Sequence, residues 1–286
     1  MLNVISVDVE EYFHAANLQP VAGPSRWRSL PSRVEASTDT VLELFERNKV
    51  RGTFFILGYC ARRYPQMVKN IAKAGHEIAS HGYGHRIAYL QTPMQFSRDV
   101  RIAKHLLEDI SGAEVIGYRA PNFSITEKNP WAHDCLIQSG YRYDSSCYPV
   151  WHPRYANTAQ PLIPDVLTRN SGSIVRFPLA VARLNVFGKE LRFPVAGGAY
   201  WRLLPRWYNL WGLQRINKEQ RWFTTYFHPW ELDTKQPAFS ELPLKTRIRH
   251  YGGTRRFGTT IEYYLDRFSF APFSEVAEQL LRKEQS

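Results

Sequence analysis

The residues best suited to chemistry stand in four short stretches: Asp8 and Glu10 in VDVE, His81 and His85 in SHGYGH, Arg119 in GYRAP, and His228 in YFHPW. One carboxylate with two neutral imidazoles leaves coordination positions open for water and substrate, as a catalytic zinc-type site requires. Glu10, His81 and His85 make up such a set. In an extended strand the D-x-E spacing turns Asp8 and Glu10 to one side. One carboxylate can then hold a cation while its neighbour takes a proton from activated water. Each pair taken alone also fits a plainer reading, with spaced histidines as core or solvated residues and paired acids as a solvated loop. The H-x-x-x-H spacing places both rings on one side of a helical turn, whereas Gly82 and Gly84 point to a tight loop.

Strand ends must bring these stretches together. An apolar run over residues 2–7 stops at Asp8, Glu10 and Glu11, which reads as a buried strand with acids at its C-terminal end. Further strands are predicted over 52–57, 76–79, 115–117, 141–143 and 221–227, and helices over 33–48, 65–74, 93–110, 131–139 and 206–217. This alternation predicts an α/β fold whose largely parallel sheet closes into a barrel, because parallel strands need crossovers. In such a barrel the strand C-termini share one face. Asp8 and Glu10 follow the first strand, His81 and His85 the third, Arg119 the fourth, Asp144 the fifth and His228 the last. Residues 160–205 loosen into β-like stretches at 173–179 and 191–195 with substrate-facing loops, and a C-terminal extension past Asp233 ends in a helix from 274 onward.

The chain has 286 residues, 44% hydrophobic and 14% aromatic, enough to fold around a sizeable core. Lys and Arg number 37 against 26 Asp and Glu, a formal +11 that favours anionic partners. The basic residues are scattered, without a basic arm or an RNA-binding aromatic signature, so nucleic acid is not an expected partner and a phosphate-bearing or membrane-proximal substrate is. Cys60, Cys135 and Cys147 lack CxxC spacing, which argues against a disulfide framework and for a reducing compartment. The opening MLNVISVDVEEYF has no signal-peptide pattern, and a soluble, cytoplasmic protein is expected, with possible proximity to the inner membrane face.

VDVE, SHGYGH, GYRAPNFS, YRYDSS and YFHPWELD, in this order and spacing, resemble the polysaccharide deacetylases, the NodB-homology group also called carbohydrate esterase family 4. The resemblance covers residues 1–235, leaving 236–286 as an extension packed on the barrel. The tail, with RHY near His250 and DRFSF, is similar to a subgroup associated with exosortase and exopolysaccharide loci. The resemblance implies a deformed (β/α)7-type barrel, a divalent metal, usually Zn2+ with Co2+, Ni2+ or Mn2+ as alternatives, and removal of N-acetyl groups from an N-acetylated glycan. It assigns Asp8 as general base, Glu10, His81 and His85 as metal ligands, and Arg119 of the R-x-P motif as the partner of the base. Pro121 completes that motif, and the backbone N–H of Asn122 is assigned to the oxyanion. His228 is the implied general acid, with Asp144 behind it.

Three departures from the family pattern stand out: Glu10 in place of an aspartate, Asn122 in place of an aromatic, and Tyr226 in place of a leucine. Tyr148, Trp151, Trp230 and the stretch after Gly197 and Gly198, with Tyr200 and Trp201, are candidates for the sugar-binding wall, with core packing as the alternative. Deformylation or small-amide hydrolysis on the same fold, and a catalytically silent carbohydrate-binding relative, are the rival functions.

Overall fold

The computed structural model describes residues 1–150 and 160–284. Trp151 and His152 lie outside the described residues. The run LNVISVDV forms β1 (Leu2–Val9), buried along all but its first residue. Apolar and β-branched residues on both faces suit a strand covered on both sides. It is followed by β2 (Thr53–Ile56), β3 (Glu77–Ser80), β4 (Gly117–Tyr118) and β5 (Tyr143–Asp144). The intervening helices are α1 (Gln19–Ala22), α2 (Val34–Arg47), α3 (Gly58–Arg63), α4 (Pro65–Lys73), α5 (Pro93–Ser111) and α6 (Trp131–Gln138). In α2 the buried residues Val34, Ser37, Thr38, Val41, Leu44 and Phe45 recur at helical spacing and face the sheet side. A reciprocal pair of hydrogen bonds between Thr92 and Gln95, with Pro93 at the first turn, starts α5, and left-handed Gly112 (φ 71°) ends it.

The second half adds the hairpin β6 (Asp165–Arg169) and β7 (Gly172–Arg176), the separate hairpin β8 (Val181–Val186) and β9 (Lys189–Pro194), then α7 (Gly198–Leu203), α8 (Arg206–Lys218) and β10 (Thr224–Phe227). The chain continues with α9 (Leu244–Tyr251), α10 (Thr254–Leu265), β11 (Ser269–Ala271) and α11 (Phe273–Glu284). The main sheet runs in the order β10, β1, β2, β3, β4, β5, β7, β6, with β11 also beside β1. All its pairings are parallel except β6 with β7. Its two ends approach each other across residues 177–180. Phe177 N–H donates to Asp144 O, Leu179 N–H to Cys147 O at 2.9 Å, and Ala180 N–H to Thr224 O at 3.0 Å. The expected α/β fold with a parallel sheet is thus the observed one.

One face of the sheet is filled by Val4, Phe55, Ala79, Ile116, Tyr143, Val175 and Phe177, and Phe273 at the start of α11 packs among them. Side chains alternate along a strand, so Ser6, Asp8 and Glu10 continue the side occupied by Val4. The strands expected over 173–179 and 191–195 correspond to β7 and β9, while β6 and β8 were not anticipated, because their exposed faces interrupt the apolar pattern. The C-terminal extension contributes β11 to the main sheet itself, in register Leu2 to Ser269 and Val4 to Ala271. No helix among the described residues is long and apolar enough to cross a membrane.

Candidate metal centre and active site

Glu10 leaves β1 and His81 leaves β3 at the same end of the sheet, and both are buried. His85 reaches them because the SHGYGH stretch is a loop, as its glycines implied: Gly82 has φ 72° and His85 itself φ 52°. Asp99 of α5 braces this loop, accepting the N–H groups of Tyr83 (2.8 Å) and Gly84 (3.2 Å). His85 Nε2 lies 2.6 Å and His81 Nε2 3.9 Å from Glu10 Oε2. One ligand atom from each of the three residues falls within 4.8 Å of the others. His81 Nδ1 lies 2.8 Å from the Arg119 carbonyl, which can only accept, so the ring donates there and presents Nε2 toward Glu10. Burial lowers the His81 pKa to about 4, which keeps the ring neutral and able to ligate.

Burial works to raise the Glu10 carboxyl, but His85, His228 and His14 together hold it below the usual carboxylate range. Glu10 Oε2 is nevertheless a buried oxygen without a directed hydrogen bond, despite its close approach to His85. An orphaned anionic oxygen beside two imidazole nitrogens fits a divalent cation of the zinc type.

Asp8 sits on the same side of β1, one pleat below Glu10. Arg119, fully buried after β4, donates from Nη1 to Asp8 Oδ1 at 2.5 Å and to Ser6 Oγ at 2.9 Å. Its Nε and Nη2 are taken by Ser145 O (3.1 Å) and Ser145 Oγ (2.9 Å), and the Phe55 ring lies 4.1 Å beneath the guanidinium. Every nitrogen has a partner, so the arginine is fixed and presents one charge to one carboxylate.

His228 follows β10 on the opposite flank, with Nε2 3.6 Å from Glu10 Oε1. Its Nδ1 lies 2.8 Å from Glu231 Oε1, and Glu231 Oε2 accepts from Arg202 Nε at 2.6 Å. Burial opposes charge on His228, but the Glu231 hydrogen bond and the charges of Glu10, Glu231 and Asp8 outweigh it and raise the pKa to about 9. Trp230 is sandwiched between His228 (centroids 4.9 Å apart, 22°) and His250 (4.5 Å, 11°), and its indole N–H points to Glu10 Oε1 at 3.5 Å. These groups, with Asn122, Phe123 and Tyr226, line a cavity of about 140 Å³. It adjoins a wider groove at His85 and Asn122, walled by Trp27, Tyr83, Arg86, Tyr89 and Arg98.

The structure thus gathers Asp8, Glu10, His81, His85, Arg119, Asn122 and His228. It does not bring Asp144 to His228. Tyr143 points inward with Phe55 and Phe177, so the next residue points out, where Asp144 Oδ2 meets His133 Nε2 of α6 at 3.2 Å. Glu231 is the acid behind His228, supplied from three residues along the same turn. Trp230 has both faces covered by imidazoles, which leaves none for a sugar ring. Tyr148 is core, its hydroxyl donating to Ala196 O at 3.1 Å. Gly198 lies against the Glu231 carboxylate, where a Cβ would overlap it. Pro121, in the turn before Asn122 (φ 54°), is buried.

Sequence reasoning missed Glu231, Arg202, His14 and His250. His14 is fully buried, stacks on His85 (5.5 Å, 19°), and accepts the Glu11 N–H at Nδ1 (3.1 Å). The E in HPWE, one helical turn after the histidine, was the available signal for Glu231.

Residues 25–142 match the model of the polysaccharide deacetylase family, and residues 145–278 match that of a domain of unknown function, DUF3473. The first match takes in His81, His85 and Arg119 and leaves Asp8, Glu10 and His228 outside it. A peptidoglycan deacetylase of Helicobacter pylori is 28% identical over 112 residues, 39% of this chain and 37% of the relative. A peptidoglycan-N-acetylglucosamine deacetylase of Bacillus cereus is 34% identical over 143 residues, 48% of this chain and 64% of the relative. The chain thus spans less than two thirds of the length of either. In fold, a candidate polysaccharide deacetylase from Mycobacterium smegmatis superposes with a TM-score of 0.67 at 18% identity, over 98% of this chain and 90% of that one. Over residues 25–142 the chain is thus similar to the polysaccharide deacetylase family, and parts of it are similar to the two curated deacetylases.

Proposed function

We propose that this protein is a metal-dependent N-deacetylase acting on N-acetylated amino sugars of a polysaccharide or its lipid-linked precursor, within exopolysaccharide synthesis. The observation that carries the reading is the orphaned Glu10 oxygen between His81 and His85, flanked by an arginine-paired carboxylate and a carboxylate-paired histidine. The exopolysaccharide setting rests on the similarity of the tail, and the glycan class on the names of the relatives. A divalent cation held by Glu10, His81 and His85 would polarise the acyl oxygen and make water more acidic.

The chain's own groups supply the remaining chemistry. Asp8 takes the proton of the attacking water, and Arg119 keeps its carboxylate oriented. His228, charged at neutral pH, holds a proton on Nε2, the nitrogen that faces the centre, because Nδ1 is committed to Glu231. An amide nitrogen must be protonated before it leaves, and His228 is placed to do this. The products are acetate and a free amino sugar. The small cavity suits an acetamido group, and the adjoining groove suits the rest of the glycan.

The test is acetate release from N-acetylated oligosaccharides by metal-reconstituted protein, alongside Glu10→Ala, His81→Ala, Asp8→Asn and His228→Ala. Activity should vanish with chelator and fall on the order of a hundredfold or more in each variant, while bound metal drops only in the first two. Release of formate, or turnover of small amides alone, would replace the substrate class. Stoichiometric metal with no hydrolysis would favour a silent binding protein, and failure to bind metal would overturn the mechanism.

A further inference from the structure

The C-terminal third carries a surface that the hydrolase chemistry leaves unused. Between Leu244 and Phe257 the sequence LKTRIRHYGGTRRF holds Lys245, Arg247, Arg249, Arg255 and Arg256 and no acid. All five are exposed, and none pairs with a carboxylate among the described residues. The same segment exposes two large apolar residues, Leu244 at 68% and Ile248 at 55%.

Their arrangement follows from helical geometry. α9 is pinned by His250, which is buried against Trp230 and bonded to Gln236 Oε1 at 2.9 Å. Leu244 and Ile248, one turn apart, then form a stripe facing away from His250, with Arg247 on one side and Lys245 and Arg249 on the other. Arg255 and Arg256 follow at the start of α10, whose first turn has no acid. Exposed Leu203 at the end of α7 lies against Gly252 and widens the apolar strip.

We infer that this face, α9 with the start of α10, docks on an anionic phospholipid surface. A stripe of apolar side chains between flexible cations is the anatomy of an interfacial segment: the apolar groups enter the acyl boundary while the cations stay among the headgroups. A nucleic acid would engage the cations and gain little from Leu244 and Ile248. A second copy of the chain would set this basic face against itself under two-fold symmetry, and like charges would oppose the contact. Arg249 stands on this face and also lines the metal-site cavity, so docking turns the mouth of the site toward the lipid. A glycan carried on a lipid would then arrive at the site directly. That consequence rests on the deacetylase reading; vesicle binding itself does not.

The experiment is co-sedimentation of the full chain with phosphatidylcholine vesicles, with and without a third of phosphatidylserine. Wild type should partition onto the anionic vesicles and release at high salt. Lys245→Gln with Arg247→Gln should lower the partition coefficient by roughly 25-fold, about fivefold per cation. Leu244→Ser with Ile248→Ser should lower it by more than about tenfold, and both pairs are exposed enough to keep the fold, which circular dichroism checks. Glu10→Ala should bind vesicles like wild type, so a failed hydrolase reading and a failed docking reading give different patterns. Equal partition onto neutral and anionic vesicles overturns the inference. So does binding that the serine pair leaves unchanged and duplex DNA competes away, or a dimer in solution that the serine pair dissolves.

Discussion

Replacing Glu231 with Gln keeps the side chain's shape and removes the charge behind His228. His228 stands at about 9 against an ordinary 6.5, a difference worth about 3 kcal/mol between its two protonation states. Burial pulls the other way, so the favourable interactions exceed that figure, and Glu231 supplies both a hydrogen bond and a charge among them. With Glu10 and Asp8 still present, the variant should titrate about one to two pH units lower. At pH ~8 the protonated fraction then falls from about 90% to between about 10% and 50%, a two- to tenfold loss of kcat/KM, while activity at pH ~6 holds.

Because folded His228 binds its proton more tightly than the unfolded chain does, its contribution to stability is complete below 6.5 and fades as pH climbs through about 9. Denaturant melts at pH ~6 and ~9.5 should show that decline in wild type and a flatter one in the variant. Histidine NMR of the metal-free protein reads the same quantity without substrate. If the basic limb of the rate profile and the His228 titration both stay where wild type has them, Glu231 does not hold this histidine, and the assignment fails.

Asp144→Asn should leave the His228 titration unchanged, since its carboxylate serves His133 and Ser146. It should lower stability by about 1–3 kcal/mol through weakened buried hydrogen bonds, read from denaturant midpoints. Gly198→Ala should cost about 1–3 kcal/mol, because its Cβ overlaps the Glu231 carboxylate, and should shift the basic limb with it. Gly258→Ala is the control: its Cβ would sit 3.6 Å from Leu232 in open contact, and helix propensity should raise the melting temperature.

The clustering of Glu10, His81 and His85 was legible because an acid or histidine closing an apolar run is a local signal, and strand ends of a parallel sheet converge whatever lies between them. The same rule misplaced Asp144, since it counts strand ends and ignores which way the pleat turns. Tyr143 faces in with Ser145, and Asp144 between them faces α6. Glu231 escaped notice because an acid one turn after a histidine also reads as a capping residue, which it is, its Oε1 accepting the His228 backbone N–H at 3.1 Å. Residue type could not say that Trp230 would be covered on both faces or that Tyr148 would be walled in, because those outcomes depend on elements far along the chain. β6 and β8 were hidden for a related reason: an exposed hairpin need not alternate cleanly in hydropathy.

The pairing of β1 has a consequence for how the protein is made. This strand, which carries Asp8, takes neighbours at residues 53–56, 224–227 and 269–271. During synthesis the first neighbour emerges early, but the others follow more than 160 residues later, a wait of about ten seconds or longer at the usual rate of translation. Throughout that interval an apolar strand edge stays open to other nascent chains. The nascent protein is therefore exposed to aggregation until its C-terminal third is out, and its yield in a host should depend on chaperone supply and growth temperature more steeply than its final stability would suggest.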